Sequence, residues 1–346
     1  IPLIPGISIY QLFRNTALSN PNETAVIFLD KKISYRDLDD LICRYASILK
    51  GLGIGKGDVV ATMLPNSLQH IVAFYAVTMI GAIHTPIDVM YQADEIAYQI
   101  KDSGARNIFI FDILYDKVAG LKDTAQIDNI IVTNVKDWGS PETIIPKSLK
   151  YFWETPKQKI DGTIDFFDAL KTCTPLEEAE TIDPKKDTAL LLYTMGTSGK
   201  PLGVIETHFN LVFNSLTHAH AFRSWEGREI NFSIMPMFHT SGYLLHQLPT
   251  LYQGGTVIPI PLFDLEDSFR IIKTYGVNVI FAPPTFFIAL MSRPDMIELY
   301  DLSSIKASIG CAAPVPVEVQ KQWKELTGIP LLNGWGMTET NSGGII

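Results

Sequence analysis

Cysteine is scarce in this chain of 346 residues: three occur, Cys43, Cys173 and Cys311, far apart and without CxxC spacing. That excludes a disulfide framework, gives no support to a thiolate zinc site, and fits a reducing cytoplasm. Uninterrupted apolar sequence is short as well. The longest run, "IVAFYAVTMIGAI" over 71–83 between His70 and His84, falls short of the ~18 residues that a membrane span needs and predicts a buried helix running into a strand. Basic charge is in deficit, with a formal net charge of -9 at pH 7. Neutralising a phosphate backbone takes a surplus of Lys and Arg on one face, so nucleic acid is not the expected partner. The opening "IPLIPGISIYQLFRN" has no basic segment ahead of its apolar residues and no small-residue cleavage site, so no secretory signal is expected.

What is present is the alternation of an α/β protein. The length exceeds the usual span of one compact domain and predicts two or more subdomains. Ser34 followed by Asp37 resembles a capping box, and Leu38, Leu41, Ile42, Tyr45 and Leu49 recur behind it at helical spacing. The strand candidate "DVVATML" (58–64), a helix from Ser67, a short strand near 83–87 and a helix over 93–102 follow. "NIFIF" and "NIIVT" continue the series, and alternation of this kind implies largely parallel sheets. Between 134 and 187 the pattern weakens, leaving one short helix candidate in "DFFDALK". The expected organisation is therefore two α/β lobes: 1–187, with 134–187 as a surface connection, and 188–346, with later strands in "TVIPI", "VNVIFA" and "KASIG".

The second lobe opens with the strand "TALLLYT" (188–194), and "LLYTMGTSGKPLGVIETH" (191–208) sets a glycine- and hydroxyl-rich turn between two apolar runs. A Walker phosphate loop needs four residues between its glycines, then Lys and Ser or Thr, then a helix. Here two residues separate Gly196 from Gly199, Pro201 follows Lys200, and "LGVIETH" is β-branched, so the turn joins strand to strand. Thr194, Thr197 and Ser198 set hydroxyls beside consecutive N–H groups, which is nest chemistry for anionic oxygens, and Lys200 adds a point charge. Taken alone, the same stretch also reads as an ordinary glycine hairpin.

Three further stretches follow in order: "MPMFHTSG" (235–242), "ASIGCAAPVP" (307–316) and "NGWGMTET" (333–340). Together with the turn they closely resemble the adenylate-forming enzymes, the superfamily of acyl-CoA synthetases, luciferase and peptide synthetase adenylation domains. "ISYRDLD" and "GAIHTPIDVMYQADEIAYQIKDSGAR" in the first half resemble that superfamily's earlier blocks, so the resemblance covers nearly the whole chain.

The resemblance implies the fold of the superfamily's large N-terminal domain and roles for particular residues. Thr194, Gly196, Thr197, Ser198, Gly199 and Lys200 correspond to the loop over the β and γ phosphates of ATP. Ala312, Ala313 and Pro314 correspond to the adenine wall, and Trp335, within Asn333, Gly334, Trp335 and Gly336, to the aromatic opposite it. Thr338 corresponds to the donor to the α-phosphate, Glu339 to the Mg²⁺ ligand, and His239 to a residue lining the acyl pocket. Phe238, Tyr243, Trp335 and Met337 are candidates for its apolar wall. Met195, Leu202 and Cys311 stand where serine, lysine and glycine are usual. A histidine at 239 offers no fixed anion for a substrate ammonium, which disfavours an α-amino acid.

The implied activity is an AMP-forming acid–thiol ligase. A fatty or other apolar acid would be activated with ATP and Mg²⁺ to an acyl adenylate and passed to coenzyme A. The alternatives are transfer to a carrier protein, or nucleotide and acyl binding without turnover. Superfamily members continue past the Thr-Glu pair into a small C-terminal domain, so the chain is expected to be a fragment that turns over poorly by itself.

Overall fold

The computed structural model describes residues 4–122, 124–140, 143–194, 199–221 and 228–342. In chain order its strands are β1 (Thr24–Phe28), β2 (Lys31–Ser34), β3 (Val59–Met63), β4 (Ile83–Pro86), β5 (Asn107–Phe111), β6 (Asn129–Thr133) and β7 (Ile164–Asp165). Then come β8 (Thr188–Thr194), β9 (Leu202–Thr207), β10 (Ile230–Ser233), β11 (Thr256–Pro259), β12 (Val279–Ala282), β13 (Ala307–Gly310) and β14 (Leu331–Asn333). They form two sheets, ordered β7-β6-β5-β3-β4-β8-β9 and β14-β13-β12-β10-β11-β1-β2. Each is parallel except for one antiparallel pair at its edge, β8–β9 in the first and β1–β2 in the second. The α/β architecture with largely parallel sheets is therefore as the sequence implies.

The sheets do not divide where the expected lobes do. β8 and β9, placed by sequence at the head of a second lobe, complete the first sheet, with His84 of β4 in register with Leu190. β1 and β2 belong to the second sheet, with Val26 opposite Val257. A break at 187/188 thus cuts through an assembled sheet. Nor is 134–187 only a surface connection: β7 pairs with β6, Trp138, Phe166 and Leu170 are buried in the main core, and Leu149 is buried as well.

Local signals account for the individual elements. Ser34 Oγ accepts from Asp37 N at 3.1 Å and caps the helix Tyr35–Gly51, whose residues Leu38, Ile42, Tyr45 and Leu49 are buried on one face. Ser67 Oγ caps the helix Leu68–Met79 in the same way. Every residue of that helix is buried, which is why its sequence is largely apolar on every side, with Gln69, His70 and Thr78 as buried polar exceptions. One continuous core contains this helix together with Val60 and Leu190 of the first sheet and Val26 and Val257 of the second.

Two polar clusters fasten the halves of the chain across that core. Tyr243 OH lies 2.7 Å from His70 Nε2 and 3.0 Å from His84 Nδ1, and His84 Nε2 lies 2.8 Å from Thr62 Oγ1. Burial holds His70 down to about 3 and His84 well below the usual histidine value, so both stay neutral. Asn66, also buried, donates to Ser233 O (3.0 Å) and Met235 O (2.9 Å) and accepts from Met237 N (2.7 Å). It clamps the segment that leaves β10.

Glu206 on β9 carries a pH dependence. Burial pushes its carboxyl up to about 7. Between the ordinary carboxylate range and that value the folded chain holds a proton that the unfolded chain has released, so stability falls as pH rises through this window. Urea unfolding at pH 5 and pH 8 should show Glu206→Gln gaining about 1–3 kcal/mol on the wild type across that interval. A constant difference would contradict it.

Candidate functional site

Ligands of open α/β sheets bind beyond the carboxyl ends of the strands, where the strand order reverses. In the second sheet β10 is central, and the chain places β11 on one side of it and β12 on the other. A cavity of about 290 Å³ opens at that position. Its walls come from the segments leaving four parallel strands: Met235 after β10, Phe281 at the end of β12, Cys311 and Ala312 after β13, and Gly334–Thr338 after β14. His239, Thr240, Ser241 and Leu245 close one side, and His218, from the helix His208–Ala221, lines it as well.

The cavity brings together much of the set predicted from sequence. His239, Ala312, Gly334, Trp335, Gly336 and Thr338 all line it. Ala312 holds a φ of +66°, a strained value for a residue with a side chain. Gly310, just before it, has no room for a Cβ, which would sit 2.2 Å from Val315 Cγ2. Asn333 is exposed and turns its Oδ1 to Val315 N (3.3 Å), while Gly334 N donates to Gly310 O at 2.8 Å. These bonds hold the two strand exits side by side. Cys311 is buried, and desolvation pushes its thiol up to about 12, so it serves as a small neutral wall residue.

Thr338 and Glu339 begin a short 3-10 turn, Thr338–Thr340. The turn is fastened to the helix His208–Ala221 through Asn341, whose carbonyl accepts from Asn214 Nδ2 at 2.6 Å and whose Nδ2 donates to Asn210 O at 2.8 Å. Glu339 itself is exposed and stands outside the cavity lining. His239 keeps part of its ring exposed at the cavity, yet the surrounding protein lowers its pKa, against the opposing pull of Asp88. Desolvation favours its neutral form.

Other predicted positions lie elsewhere. Gly196, Thr197 and Ser198 fall outside the described residues. The turn does join antiparallel strands, Thr194 pairing with Leu202, and Gly199 has a φ of +89°, which favours glycine. Thr194, Gly199 and Lys200 are not among the residues lining the cavity, nor are Ala313 and Pro314, both exposed. The base of the turn leans on the helix Ala93–Ser103 through Tyr98 OH to Pro201 O (2.9 Å) and Tyr193 OH to Asp102 Oδ2 (2.7 Å). Of the four apolar candidates, Trp335 and Met337 line the cavity; Phe238 does not, and Tyr243 belongs to the buried histidine cluster. Sequence reasoning missed His218 and Phe281, which carry no local signal. A second cavity, about 250 Å³, lies at the strand ends of the first sheet beside Phe111 and Leu262 and contains none of the predicted residues.

Comparison with known proteins decides the family, because the model of AMP-binding enzymes matches residues 13–346. The chain belongs to that family. It is 32% identical to a long-chain-fatty-acid–CoA ligase of Bacillus subtilis (strain 168), covering 98% of this chain and 61% of that protein. A long-chain-fatty-acid–CoA ligase of Yersinia pestis is 30% identical, with 96% and 60% covered. The chain thus spans about three fifths of the length of these relatives. Among solved structures, the anthranilate CoA ligase AuaEII, in complex with anthranoyl-AMP, superposes with a TM-score of 0.86 at 19% identity, covering 99% of this chain and 62% of that one. That likeness concerns the fold of the adenylate-forming family. Among the described residues no helix is long and apolar enough to cross a membrane.

Proposed function

We propose that this chain supplies the nucleotide and acid site of an AMP-forming acid–thiol ligase. A carboxylic acid is joined to the α-phosphorus of ATP with loss of pyrophosphate, and coenzyme A then displaces AMP to give a thioester. The observation that carries this reading is the single cavity in which Ala312, Trp335, Thr338 and His239 meet at the switch point of a parallel sheet. Its first two residues suit a flat heterocycle, set between a small residue and an aromatic face. Trp335 is 55% exposed, as befits a wall whose other side is the ligand.

The substrate carboxylate, with a pKa near ~4, is ionised at neutral pH and attacks without a general base. Catalysis then rests on holding oxygen and phosphorus in line and on neutralising charge on the phosphoryl oxygens. In this reading Thr338 donates to the α-phosphate, the hairpin turn 194–200 covers the outer phosphates with its N–H groups, hydroxyls and Lys200, and His239 orients the acid. Glu339 fits a magnesium ion carried on phosphate oxygens, since Mg²⁺ commonly takes one or two carboxylates together with phosphate. When bound, the ion supplies charge neutralisation at the phosphoryl oxygens.

The test is pyrophosphate release by the full-length gene product over a panel of carboxylic acids, with and without coenzyme A. Acid-dependent release should yield an acyl adenylate without coenzyme A, and AMP with a thioester when it is added. Release with no acid in the panel would remove the reading, and adenylate that never passes to coenzyme A would redirect it to another acceptor.

A further inference from the structure

One wall of the cavity is a loop that its own sheet does not hold in place. The ladder of β10 ends at Ser233, in register with Pro259 of β11 and bonded through its carbonyl to Ile260 N at 3.0 Å. Residues 234–242 then leave the sheet and bring Met235, His239, Thr240 and Ser241 to the cavity. Two tight turns shape this loop, His239 N to Pro236 O and Gly242 N to His239 O, both at 3.0 Å. They set its local form and not its position.

The position comes from the other sheet. Asn66 follows β3 and is 4% exposed. Its Nδ2 donates to Ser233 O (3.0 Å) and Met235 O (2.9 Å), and its Oδ1 accepts from Met237 N (2.7 Å). Carbonyls only accept and a backbone N–H only donates, so the amide has one possible orientation. Donating to 235 and accepting from 237 is what a residue on a neighbouring parallel strand would do. One side chain thus prolongs the sheet past its last strand pair. Four positions on, His70 Nε2 meets Tyr243 OH at 2.7 Å, so a single segment of the first sheet pins both ends of the loop.

The opposite walls are held by other means. Gly334 N bonds to Gly310 O, Asn333 Oδ1 accepts from Val315 N, and Asn341 ties the Thr338 turn to Asn210 and Asn214. None of these bonds involves the 234–242 loop or Asn66.

Resting on the function proposed above, we infer that Asn66 is a positioning residue for acid activation. From outside the cavity lining it sets Met235 and His239 against the acid, and it leaves the walls around the nucleotide untouched. Misplacing a reacting group by ~1 Å costs on the order of 10²-fold in rate, so the loss of one amide is large enough to read.

The test measures pyrophosphate release by the full-length enzyme with whichever of hexanoic, decanoic, hexadecanoic and phenylpropanoic acid the wild type uses fastest. Asn66→Ala removes all three bonds. Asn66→Asp keeps the shape and the acceptor for Met237 N, and sets an oxygen against the two carbonyls. Each variant, folded by circular dichroism, should lose about 10- to 100-fold in kcat/KM for the acid, with the KM for ATP within about twofold of the wild type. Leu38→Ala, a core truncation in the helix Tyr35–Gly51, should lower the urea midpoint and change neither KM. Equal rises in both KM values, unchanged acid kinetics in folded Asn66→Asp, the same split in Leu38→Ala, or failure of both Asn66 variants to fold overturns the inference and leaves acid activation standing. Absence of acid-dependent release by the wild type overturns both.

Discussion

Replacing Glu339 by glutamine is expected to slow acid-dependent pyrophosphate release by the full-length enzyme about 10²- to 10³-fold, the usual loss when one electrostatic partner of a transition state is removed. Glutamine keeps the shape of the side chain and removes the charge that magnesium requires. The stability of the protein should scarcely change. Glu339 is exposed, so its replacement strips no packing, and surface changes of this kind stay within about 0.5 kcal/mol. A large drop in rate at an unmoved urea midpoint separates a site residue from a structural one. A loss below about tenfold at saturating Mg²⁺ would remove Glu339 from the proposed metal site.

Gly242→Ala is expected to have the opposite profile, costing about 3 kcal/mol of stability. A Cβ at this position would stand 2.3 Å from Pro236 O and 2.5 Å from Met237 Cα. Both are backbone atoms, so no rotamer change relieves the overlap. The segment resists moving as well, because Asn66 holds it through Met235 O and Met237 N. His239 N bonds to Pro236 O, and Gly242 N bonds to His239 O, so displacement reaches His239 directly. The KM for the acid should therefore rise along with the loss of stability. Urea unfolding that shows a change under about 1 kcal/mol would mean that the close approach is relieved at little cost.

The glycine of "MPMFHTSG" thus owes its place to a packing constraint, whereas Gly199 in the hairpin turn owes its own to a backbone angle. From sequence both read as members of a motif, and only distances and dihedrals separate the two causes. The same holds for the histidines that flank the apolar run. His70 and His84 are fourteen positions apart, and nothing local announces that Tyr243 will bridge them. Tyr243 was for that reason expected in the acyl pocket, and the structure assigns it to a buried polar cluster.

Sequence by itself determined the elements whose signals are local. These are the serine caps at 34 and 67, the largely apolar helix between them and β4, the strand-to-strand form of the 194–200 turn, and the order of the motifs that mark the family. Each depends on spacing within a few residues, where backbone geometry relates neighbours by fixed periods. Only the tertiary structure decided which strand lies beside which. It placed β8–β9 on the first sheet and β1–β2 on the second, and it set His218, Thr240 and Phe281 around one cavity. Those outcomes turn on which sheet edges and apolar faces remain to be covered once the rest has packed, and burial of that kind is a property of the assembled chain.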